Sequence, residues 1–369
     1  MKSVLVTGSG GFIGKNLIVH LNEHEHFKVL SFSRHNSIDD LQGLVEQADA
    51  VVHLAGENRP QDLSAFEIVN VGLTQFLCDA IRSSERKIPL LLASSTQAGQ
   101  DIPYGKSKFR AEQLVEVLAN QTGNPVYIYR LPNVFGKWCK PNYNSVVSTF
   151  CFNIANNIPI QINDTSTCLR LVYIDDVVSD FLRVILKTSQ GISRPTIKPE
   201  YTATLGEIAE QIYVFKDCRS SLLSEPVGGG FVRALYSTYI SYINPAQFSY
   251  SLTQNIDDRG VFVEMLKTKD SGQFSYFTAH PGVTRGGHYH HSKSEKFLVI
   301  MGEARFRFRN IITDESYELF TSGEQSKVVD TVPGWSHDIT NVGKEELVVM
   351  LWANEIFDQD NPDTILFKV

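Results

Sequence analysis

A glycine-rich turn near the N-terminus constrains the fold of the first part of this chain more than any other feature. The short apolar run Val4–Val6 leads into Thr7-Gly8-Ser9-Gly10-Gly11-Phe12-Ile13-Gly14, and an amphipathic stretch follows from Lys15 to Glu23. A strand, a glycine turn and a helix in this order are typical of a dinucleotide-binding loop, because the glycines let the backbone turn, approach a pyrophosphate and pack the helix on the sheet. A glycine turn of this kind also occurs without a ligand. The residues predicted to contact a cofactor here are Gly8, Gly11, Phe12, Ile13 and Gly14.

The end of the next predicted strand, Lys28–Phe32, indicates which cofactor the loop binds. Enzymes that prefer NAD usually carry an acid at this point for the ribose hydroxyls, but this chain has Ser33 and Arg34. Arg34 would face the 2′-phosphate of NADPH, so we predict NADPH as the cofactor, with Ser33 and Arg34 in contact with it. Asp39 or Asp40 could still reach the adenine or ribose, which keeps NADH open.

A third apolar strand, Ala50–Leu54, ends in two small residues, Ala55 and Gly56. Small side chains at this edge of a parallel sheet would allow a dinucleotide to lie close to the backbone. The predicted cofactor contacts therefore also include Leu54, Ala55 and Gly56.

A group of hydroxyls and a tyrosine–lysine pair suggest where chemistry takes place. The predicted strand Leu90–Ala93 ends in Ser94-Ser95-Thr96, and Tyr104 and Lys108 follow at the start of a predicted helix. Residues four apart share one helix face, and a neighbouring ammonium favours the phenolate and lowers the pKa of a tyrosine. Such a pair can move a proton to or from a carbonyl oxygen. We predict Thr96, Tyr104 and Lys108 as catalytic, with Tyr104 and Lys108 also contacting the cofactor.

In combination these motifs make residues 1 to about 245 similar to the extended short-chain dehydrogenase/reductase family. The later segments Arg130–Gly136 and Arg170–Val177 resemble those by which the nucleotide-sugar members of that family bind substrate. The resemblance implies that Asn133 and Arg170 contact the substrate. A structural ion pair between Arg170 and Asp175 is the competing interpretation.

A histidine-rich segment in the second part of the chain has the spacing of a metal site. His288 and His290 would leave the same face of a strand, Glu295 follows after a short polar turn, and His337 lies beyond the Pro333-Gly334 turn. Three imidazoles and a carboxylate suit zinc, iron, manganese or nickel. A solvated histidine-rich turn is the alternative. The predicted ligands are His288, His290, Glu295 and His337, and the predicted metal is a divalent ion, with zinc preferred.

From Leu252 onward, short alternating segments separated by turn residues predict seven or more strands and hence a sandwich or barrel. The pattern Gly282-x5-His288-x-His290-x4-Glu295-x6-Gly302, followed by Pro333-Gly334-x2-His337-x3-Asn341, resembles both halves of the cupin motif. The predicted fold is an α/β Rossmann-like, doubly wound parallel sheet with a small substrate lobe (residues 1–247), followed by an all-β cupin, or jelly-roll barrel (residues 248–369).

Composition excludes several classes of protein. The net charge of −7 at pH 7 and the lack of long Lys or Arg runs argue against binding to nucleic acid or to an anionic membrane. Five scattered cysteines suggest neither a disulfide framework nor a cysteine metal site, and no segment reaches 18 consecutive apolar residues. We expect a soluble cytoplasmic protein.

A reductase fused to a cupin resembles a family of bifunctional enzymes of capsular-polysaccharide synthesis, in the formation of UDP-N-acetyl-L-fucosamine. The resemblance implies that the cupin epimerises a UDP-2-acetamido-2,6-dideoxy-4-hexulose at carbon 3. The reductase would then reduce the 4-ketone with NADPH to UDP-N-acetyl-6-deoxy-L-talosamine. It also implies a homodimer. His291, Lys296 and Tyr289 are the candidate proton carriers near the metal ligands.

Three alternatives remain open from the sequence. In the first, the cupin is only a structural or dimerising zinc module beside an active reductase. A metal-dependent oxygenase would leave the attached reductase unexplained. A cofactor-sensing protein with a degenerate reductase fold would be expected to lack the tyrosine–lysine pair, which is present as Tyr104 and Lys108.

Overall fold

The computed structural model of the protein describes all of residues 1–369, and the chain divides into two compact units. The first unit comprises Met1–Ile212 and Arg233–Ile243, and the second comprises Tyr213–Val232 and Asn244–Val369. The sequence places the boundary between residues 247 and 248, with Tyr213–Val232 in the first domain. This segment belongs to the second unit because Leu223 and Ser224 form a short strand that pairs with Lys267 and Thr268.

The first unit is built on a parallel sheet. Its strands are β1 (Lys2–Thr7), β2 (Phe27–Phe32), β3 (Ala50–His53), β4 (Leu90–Ser95), β5 (Val126–Leu131), β6 (Asn133–Phe135), β7 (Cys168–Tyr173), β8 (Ile192–Ser193) and β9 (Tyr201–Thr204). Six of them form one sheet in the order β2-β1-β3-β4-β5-β8, in which every pair is parallel. The other three form a small sheet in the order β6-β7-β9. The predicted doubly wound parallel sheet is confirmed.

Helices alternate with these strands along the chain. They are α1 (Phe12–Asn22), α2 (Asp40–Gln47), α3 (Leu73–Ser83), α4 (Pro103–Thr122), α5 (Val146–Ala155), α6 (Ile174–Leu186), α7 (Leu205–Ser221) and α8 (Gly230–Ile240). A π-helical segment, Phe66–Gly72, leads into α3, and a 3-10 turn spans Pro245–Gln247. None of the helices combines the length and the apolar character that crossing a bilayer requires.

The core beside the parallel sheet explains why these elements form. The central strands are continuous apolar runs, as expected for strands covered on both faces. Leu5, Val51, Leu90 and Ile128 from four strands are fully buried together with α3 and α4 side chains such as Leu77. The sheet order reverses at β1, so the carboxyl ends of β1 and β3 flank the crevice where open α/β sheets bind ligands.

The second unit is all-β. Its strands are β10 (Leu223–Ser224), β11 (Asn255–Asp257), β12 (Gly260–Thr268), β13 (Gly272–Ala279), β14 (Thr284–Tyr289), β15 (Glu295–Met301), β16 (Glu303–Asn310), β17 (Ser316–Ser322), β18 (Val328–Asp330), β19 (Trp335–Asn341), β20 (Leu347–Ala353) and β21 (Ile365–Leu366). One sheet has the order β10-β12-β13-β20-β15-β18, with β11 paired to β12, and the other has the order β17-β16-β19-β14-β21. The all-β second part of the chain is confirmed.

Alternating side chains from both sheets fill one core in the second unit. Phe277 and Phe297 from the first of these sheets are buried together with Phe306 and Ile339 from the second. Strand β19 does not show this alternation, because every residue in it except Trp335 is buried. It lies between β16 and β14 in the interior of its sheet, and this strand carries His337.

The glycine turn after β1 is shaped by close backbone approaches. Gly8 adopts a φ of +69°, and a Cβ on it would lie 2.6 Å from the amide nitrogen of Ala55. A Cβ on Gly14 would lie 2.4 Å from the carbonyl oxygen of Gly8. Glycine at these two positions therefore allows α1 to begin directly against the turn.

Gly14→Ala is expected to destabilise the protein, because the added methyl group overlaps backbone that cannot move aside. The cost should be about 1–3 kcal/mol of unfolding free energy, measured by urea unfolding followed by circular dichroism. Gly43→Ala is the matched control, since its Cβ would meet nothing within 4 Å in α2 and should stabilise the protein by about 0.5–1 kcal/mol. Equal stability of the two variants would contradict the close approach at Gly14.

Candidate active site and metal centre

The predicted cofactor residues at the ends of β1 and β3 lie together. The Thr7 hydroxyl oxygen accepts the backbone N–H groups of Leu54, at 3.2 Å, and of Ala55, at 3.3 Å, and it lies 2.6 Å from Nδ1 of His53. Burial lowers the pKa of His53 to about 3, so its imidazole is neutral and can take part in this network uncharged. These bonds hold Leu54 and Ala55 against Gly8, where the sequence predicts the dinucleotide. Gly11, Phe12, Ile13 and Gly14 continue from this turn into α1.

Ser33 and Arg34 follow β2 on the neighbouring side of the sheet. The backbone N–H of Ser9 donates to the carbonyl oxygen of Phe32 at 3.2 Å, which ties the end of β2 to the glycine turn. Arg34 is exposed. Asp40 accepts the backbone N–H of Ser37 at 3.0 Å, so this carboxylate caps its own turn.

Tyr104 and Lys108 lie in the first turns of α4, close to the ends of β3 and β4. Lys108 is buried, and its Nζ donates to the carbonyl oxygen of Ala93 at 2.8 Å. A Cβ on Gly56 would lie 3.5 Å from that Nζ, so Gly56 and Lys108 line the same place. Burial lowers the pKa of Lys108 to about 8, while the Glu112 carboxylate acts in the opposite direction.

The protonation of Tyr104 differs from the sequence expectation. The sequence predicts that the ammonium of Lys108 lowers the pKa of the phenol. In the structure, burial raises the pKa of Tyr104, and a hydrogen bond with Ser95 acts against that rise. Desolvation penalises the charged phenolate, so the phenol is protonated at neutral pH and is a proton donor.

The hydroxyl next to Tyr104 belongs to Ser95, which the sequence analysis did not single out. Thr96, the predicted residue, is exposed one position beyond β4. Alternation along the strand separates Ser95 from Ser94, which points the other way and donates its hydroxyl to the buried carboxylate of Glu112. The role of Thr96 in holding the substrate oxygen stays a prediction.

Two further residues support this site and were not predicted. Asn70, in the π-helical segment, accepts the N–H of Glu57 at 2.8 Å and donates to Ser107 at 3.0 Å, which links the loop after Gly56 to α4. Glu112 is buried and accepts from Nη2 of Arg130 at 2.6 Å. The spacing of Tyr104, Lys108 and Glu112, four residues apart on one helix face, could have predicted Glu112.

The two predicted substrate residues of the small sheet are neighbours. The Asn133 side-chain amide donates to the carbonyl oxygen of Arg170 at 3.1 Å. The guanidinium of Arg170 is exposed and pairs with Glu200, with 2.9 Å between Nη2 and Oε2. Asp175, the partner considered from sequence, instead accepts from Lys137.

The four predicted metal ligands converge in the second unit. His288 on β14 is in register with His337 on β19, and Glu295 begins β15. One ligand atom from each of His288, His290, Glu295 and His337 lies within 4.8 Å of the others, and all but His288 are buried. A solvated turn would not bury these polar groups.

The chemistry of these four side chains fits a metal ion. Nε2 of His290 is buried and has no hydrogen-bond partner, and it lies 3.4 Å from Oε2 of Glu295, as does Nε2 of His337. Burial, followed by the effect of His337, lowers the pKa of His288 to about 4, so this imidazole is neutral and its lone pair is available. Although burial raises the pKa of Glu295, the adjacent imidazoles hold it well below its usual range as a carboxylate.

The C-terminal segment orients this cluster through Asp363. Nδ1 of His290 donates to the backbone carbonyl oxygen of Asp363, which directs Nε2 into the cluster. The carboxylate of Asp363 accepts the backbone N–H groups of His291, Ser292 and Lys293 at 2.8–2.9 Å. Histidine ligands commonly have an outer partner of this kind, which fixes the tautomer and ring orientation.

A buried lysine lies beside the cluster, in contrast to two of the three candidate proton carriers. His291 and Lys296 are exposed, and Lys296 pairs with Asp330. Lys293 is 8% exposed, and its Nζ lies 3.2 Å from Oε1 of Glu295. The sequence did not predict a role for Lys293, because it lies in a polar turn. Only the fold brings this turn into contact with Asp363 of the C-terminal segment.

Comparison with known proteins identifies the relatives of both units. Residues 4–197 match the model of the NAD dependent epimerase/dehydratase family, and residues 255–365 match that of the polysaccharide biosynthesis C-terminal domain. The chain is 57% identical over 367 residues to UDP-2-acetamido-2,6-beta-L-arabino-hexul-4-ose reductase of Pseudomonas aeruginosa, a match that covers 99% of this chain and 98% of the relative.

Solved structures of CapF resemble the whole chain. The capsular polysaccharide assembling protein CapF from Staphylococcus aureus superposes with a TM-score of 0.92 at 43% identity and covers 99% of this chain and 100% of its own. A structure of CapF with the inhibitor 3-isopropenyl-tropolone has a TM-score of 0.86 at 40% identity and covers 100% of both chains. The resemblance to enzymes of capsular-polysaccharide synthesis is confirmed.

Asp363→Ala is expected to weaken metal binding by the cluster, because the turn that carries His290 would lose its three backbone hydrogen bonds. Loss of an outer partner typically reduces metal affinity about 10- to 100-fold. Competition with a chromophoric chelator for zinc or cobalt measures the change. Asp360→Ala, an exposed position in the same segment, is the matched control. Unchanged affinity in Asp363→Ala would show that the segment does not orient the ligands.

Proposed function

Because this chain belongs to the NAD dependent epimerase/dehydratase family, we propose that it converts a UDP-linked 4-keto sugar in two steps. The second unit epimerises a UDP-2-acetamido-2,6-dideoxy-4-hexulose at carbon 3, and the first unit reduces the 4-ketone with NADPH to UDP-N-acetyl-6-deoxy-L-talosamine. The observation that carries the proposal is that one chain contains both a reductase site and a cluster of four possible metal ligands. Over almost its whole length, this chain is 57% identical to a UDP-hexulose reductase. The product would enter UDP-N-acetyl-L-fucosamine and capsular-polysaccharide synthesis.

The residues of the first unit support reduction of a ketone. Bound NADPH would supply the hydride to carbon 4. Tyr104 donates its phenolic proton to the ketone oxygen. Burial raises the pKa of Tyr104, so the phenol is protonated before the reaction. Ser95 orients the phenol, while Lys108 presents a positive charge beside Gly56. Asn133 and Arg170 lie together on the small sheet, as expected for contacts to the substrate.

The preference for NADPH rests on the end of β2. Arg34 is exposed beside the glycine turn, where a 2′-phosphate would lie. The two acids that left NADH open are engaged locally, since Asp40 caps Ser37 and Asp39 accepts from the hydroxyl of the same serine. Their hydrogen bonds favour Arg34 as the group that selects the cofactor.

The second unit supports exchange of the proton at carbon 3. The 4-ketone acidifies that proton, and His288, His290, Glu295 and His337 would hold a divalent ion, for which we propose zinc. Such an ion would supply Lewis-acid stabilisation of the enolate. Reduction of the ketone in the next step removes the acidity and fixes the new stereocentre.

A purely structural role for the metal is the second candidate function of this cluster. Three of its four ligands are buried, and four protein ligands around one ion are also what a structural zinc site has. In that case the chain would be an NADPH-dependent 4-keto-sugar reductase whose cupin unit only stabilises it. The expected homodimer stays a prediction under either function.

Tyr104→Phe is expected to separate the two activities. Loss of the proton donor should slow NADPH oxidation about 10²- to 10⁴-fold, while carbon-3 exchange in deuterated water, followed by NMR without NADPH, continues. Tyr127→Phe is the control, because that hydroxyl bonds to Ser189 and not to the active-site residues. If reduction and exchange are lost together in Tyr104→Phe, the assignment of two sites is wrong. Absence of exchange in the unaltered protein would favour the structural zinc.

Arg34→Leu is expected to raise the KM for NADPH, since a charge-assisted pair with the 2′-phosphate is lost. An effect of roughly 10- to 100-fold corresponds to about 1.5–3 kcal/mol for a hydrogen bond to a charged group. Steady-state rates with NADPH and NADH measure it, and NADH serves as the internal control because it lacks the phosphate. Equal losses with both cofactors would exclude a role of Arg34 in selecting NADPH.

A further inference from the structure

A cleft of about 750 Å³ lies in the second unit beside the metal ligands. Strands β11, β12, β13, β14, β15 and β20 contribute to its walls, and two of the four candidate metal ligands, His288 and Glu295, line it. Its apolar lining includes Phe262, Leu351 and Phe357. A concave site with a few convergent polar groups is what small-molecule binding requires.

Arg285 contributes a largely buried side chain to this cleft. The side chain is 13% exposed, its Nε donates to the carbonyl oxygen of Thr278 at 2.9 Å, and its guanidinium carbon lies 5.3 Å from the centre of the Phe277 ring. Nη2 is buried and has no hydrogen-bond partner. A charged donor left in this state costs free energy unless a ligand supplies the acceptor.

The nearest carboxylate does not supply that acceptor. Oδ1 of Asp257 lies 3.8 Å from Nη2 of Arg285, beyond hydrogen-bond distance. Asp257 is instead held by Arg259, with 3.0 Å between Nε and Oδ2. Hydrogen bonds from Arg259 lower the pKa of Asp257 to about 2, so the carboxylate is charged and already paired. Arg285 is therefore left with an incompletely compensated charge.

A β-bulge brings Arg285 and His288 to the same face of β14. The register against β19 shifts between Gly286 and His288, so that Gly287 is an extra residue on this strand. Arg285 and His288 are three residues apart in sequence, but their partners on β19, Ile339 and His337, are only two apart. Side chains two positions apart on a strand share a face. Gly287 can form the bulge because it adopts a φ of +81°. The two side chains start about 7 Å apart along the strand.

We propose that Arg285 binds the diphosphate of a sugar nucleotide in this cleft, with the sugar extending toward His288 and Glu295. A guanidinium is suited to a diphosphate because its planar array of donors matches phosphate oxygens. This inference rests on the proposed function for the identity of the sugar, but the anion site itself is argued from the Nη2 group of Arg285, which has no hydrogen-bond partner.

The charges of the cleft agree with a dianionic group. Its lining has three cationic side chains, Arg259, Arg285 and Lys293, and three carboxylates, Asp257, Glu295 and Glu355. These six charges cancel, so a divalent ion held by the four candidate ligands would give the cleft a net charge of about +2. A diphosphate diester carries the opposite charge. One cleft can therefore hold the diphosphate at Arg285 and the ketone near the metal ligands.

Calorimetric titration of the full chain with UDP tests the inference. The unaltered protein should bind UDP in two classes, one in this cleft and one in the nucleotide-sugar site of the first unit. Arg285→Gln should weaken one class roughly 10- to 100-fold, as expected for loss of hydrogen bonds to a charged group, and Arg170→Gln should weaken the other. Arg285→Lys should fall between, because it keeps the charge but not the planar fork. Arg305→Gln is the control, since Arg305 lies on β16 and does not line the cleft.

Inorganic pyrophosphate and UMP distinguish the group that is recognised. Pyrophosphate should compete for the Arg285-dependent class, whereas UMP should compete weakly because it lacks the second phosphate. UDP binding that is unchanged in both Arg285→Gln and Arg285→Lys would overturn the inference, whether one class or two is seen. Competition by UMP equal to that by UDP would also overturn it.

Carbon-3 exchange in the same variants separates this inference from the proposed function. If UDP binding depends on Arg285 and Arg285→Gln raises the KM for exchange, the anion site and the epimerase assignment are both supported. If UDP binding depends on Arg285 but the unaltered protein shows no exchange, the anion site stands and the epimerase assignment fails. If exchange is lost while UDP binding is unaffected, the anion site fails.

Discussion

The requirement that buried polar groups find partners governs both units of this protein. In the first unit, the Thr7 hydroxyl joins the ends of β1 and β3 by accepting the N–H groups of Leu54 and Ala55. In the second unit, the carboxylate of Asp363 satisfies three consecutive N–H groups beside the metal ligands. Because most such groups are satisfied, the exceptions are informative. Nε2 of His290 and Nη2 of Arg285 are both buried without a hydrogen-bond partner, and each lies where a ligand would supply one.

Burial also decides how the reductase residues titrate. Tyr104 and Lys108 are on one helix face, and in water an ammonium next to a phenol would favour the phenolate. In the structure, desolvation raises the pKa of Tyr104 and lowers that of Lys108 to about 8. Both shifts favour the neutral form of their group, as expected where water is excluded. The buried carboxylate of Glu112 limits the effect on Lys108. A protonated phenol suits the reduction of a ketone, which takes up a proton at oxygen.

The fold follows from the sequence wherever a pattern is local. The glycine turn after β1, the apolar strands and the Tyr104–Lys108 spacing predict the parallel sheet and α4, and seven alternating segments predict strands of the second unit. Strand β19 does not have this pattern, because its sequence Trp-Ser-His-Asp-Ile-Thr-Asn is mostly polar although the strand is almost wholly buried. The short strand Leu223–Ser224 is also absent from the prediction, since only its pairing with β12 defines it.

The sequence alone determined the classes of the two units and the four residues of the candidate metal cluster, because the types of ligand and their spacing can be read directly from the sequence. Tertiary structure decided which groups meet those residues from elsewhere. Ser95 meets Tyr104, Glu200 rather than Asp175 pairs with Arg170, and Asp363 lies about seventy residues along the chain from His290, which it contacts. It also decided that Arg285 shares a face with His288, through a bulge at Gly287. Such contacts depend on strand register and on burial, and neither can be read from residue spacing when the partners are far apart in the chain.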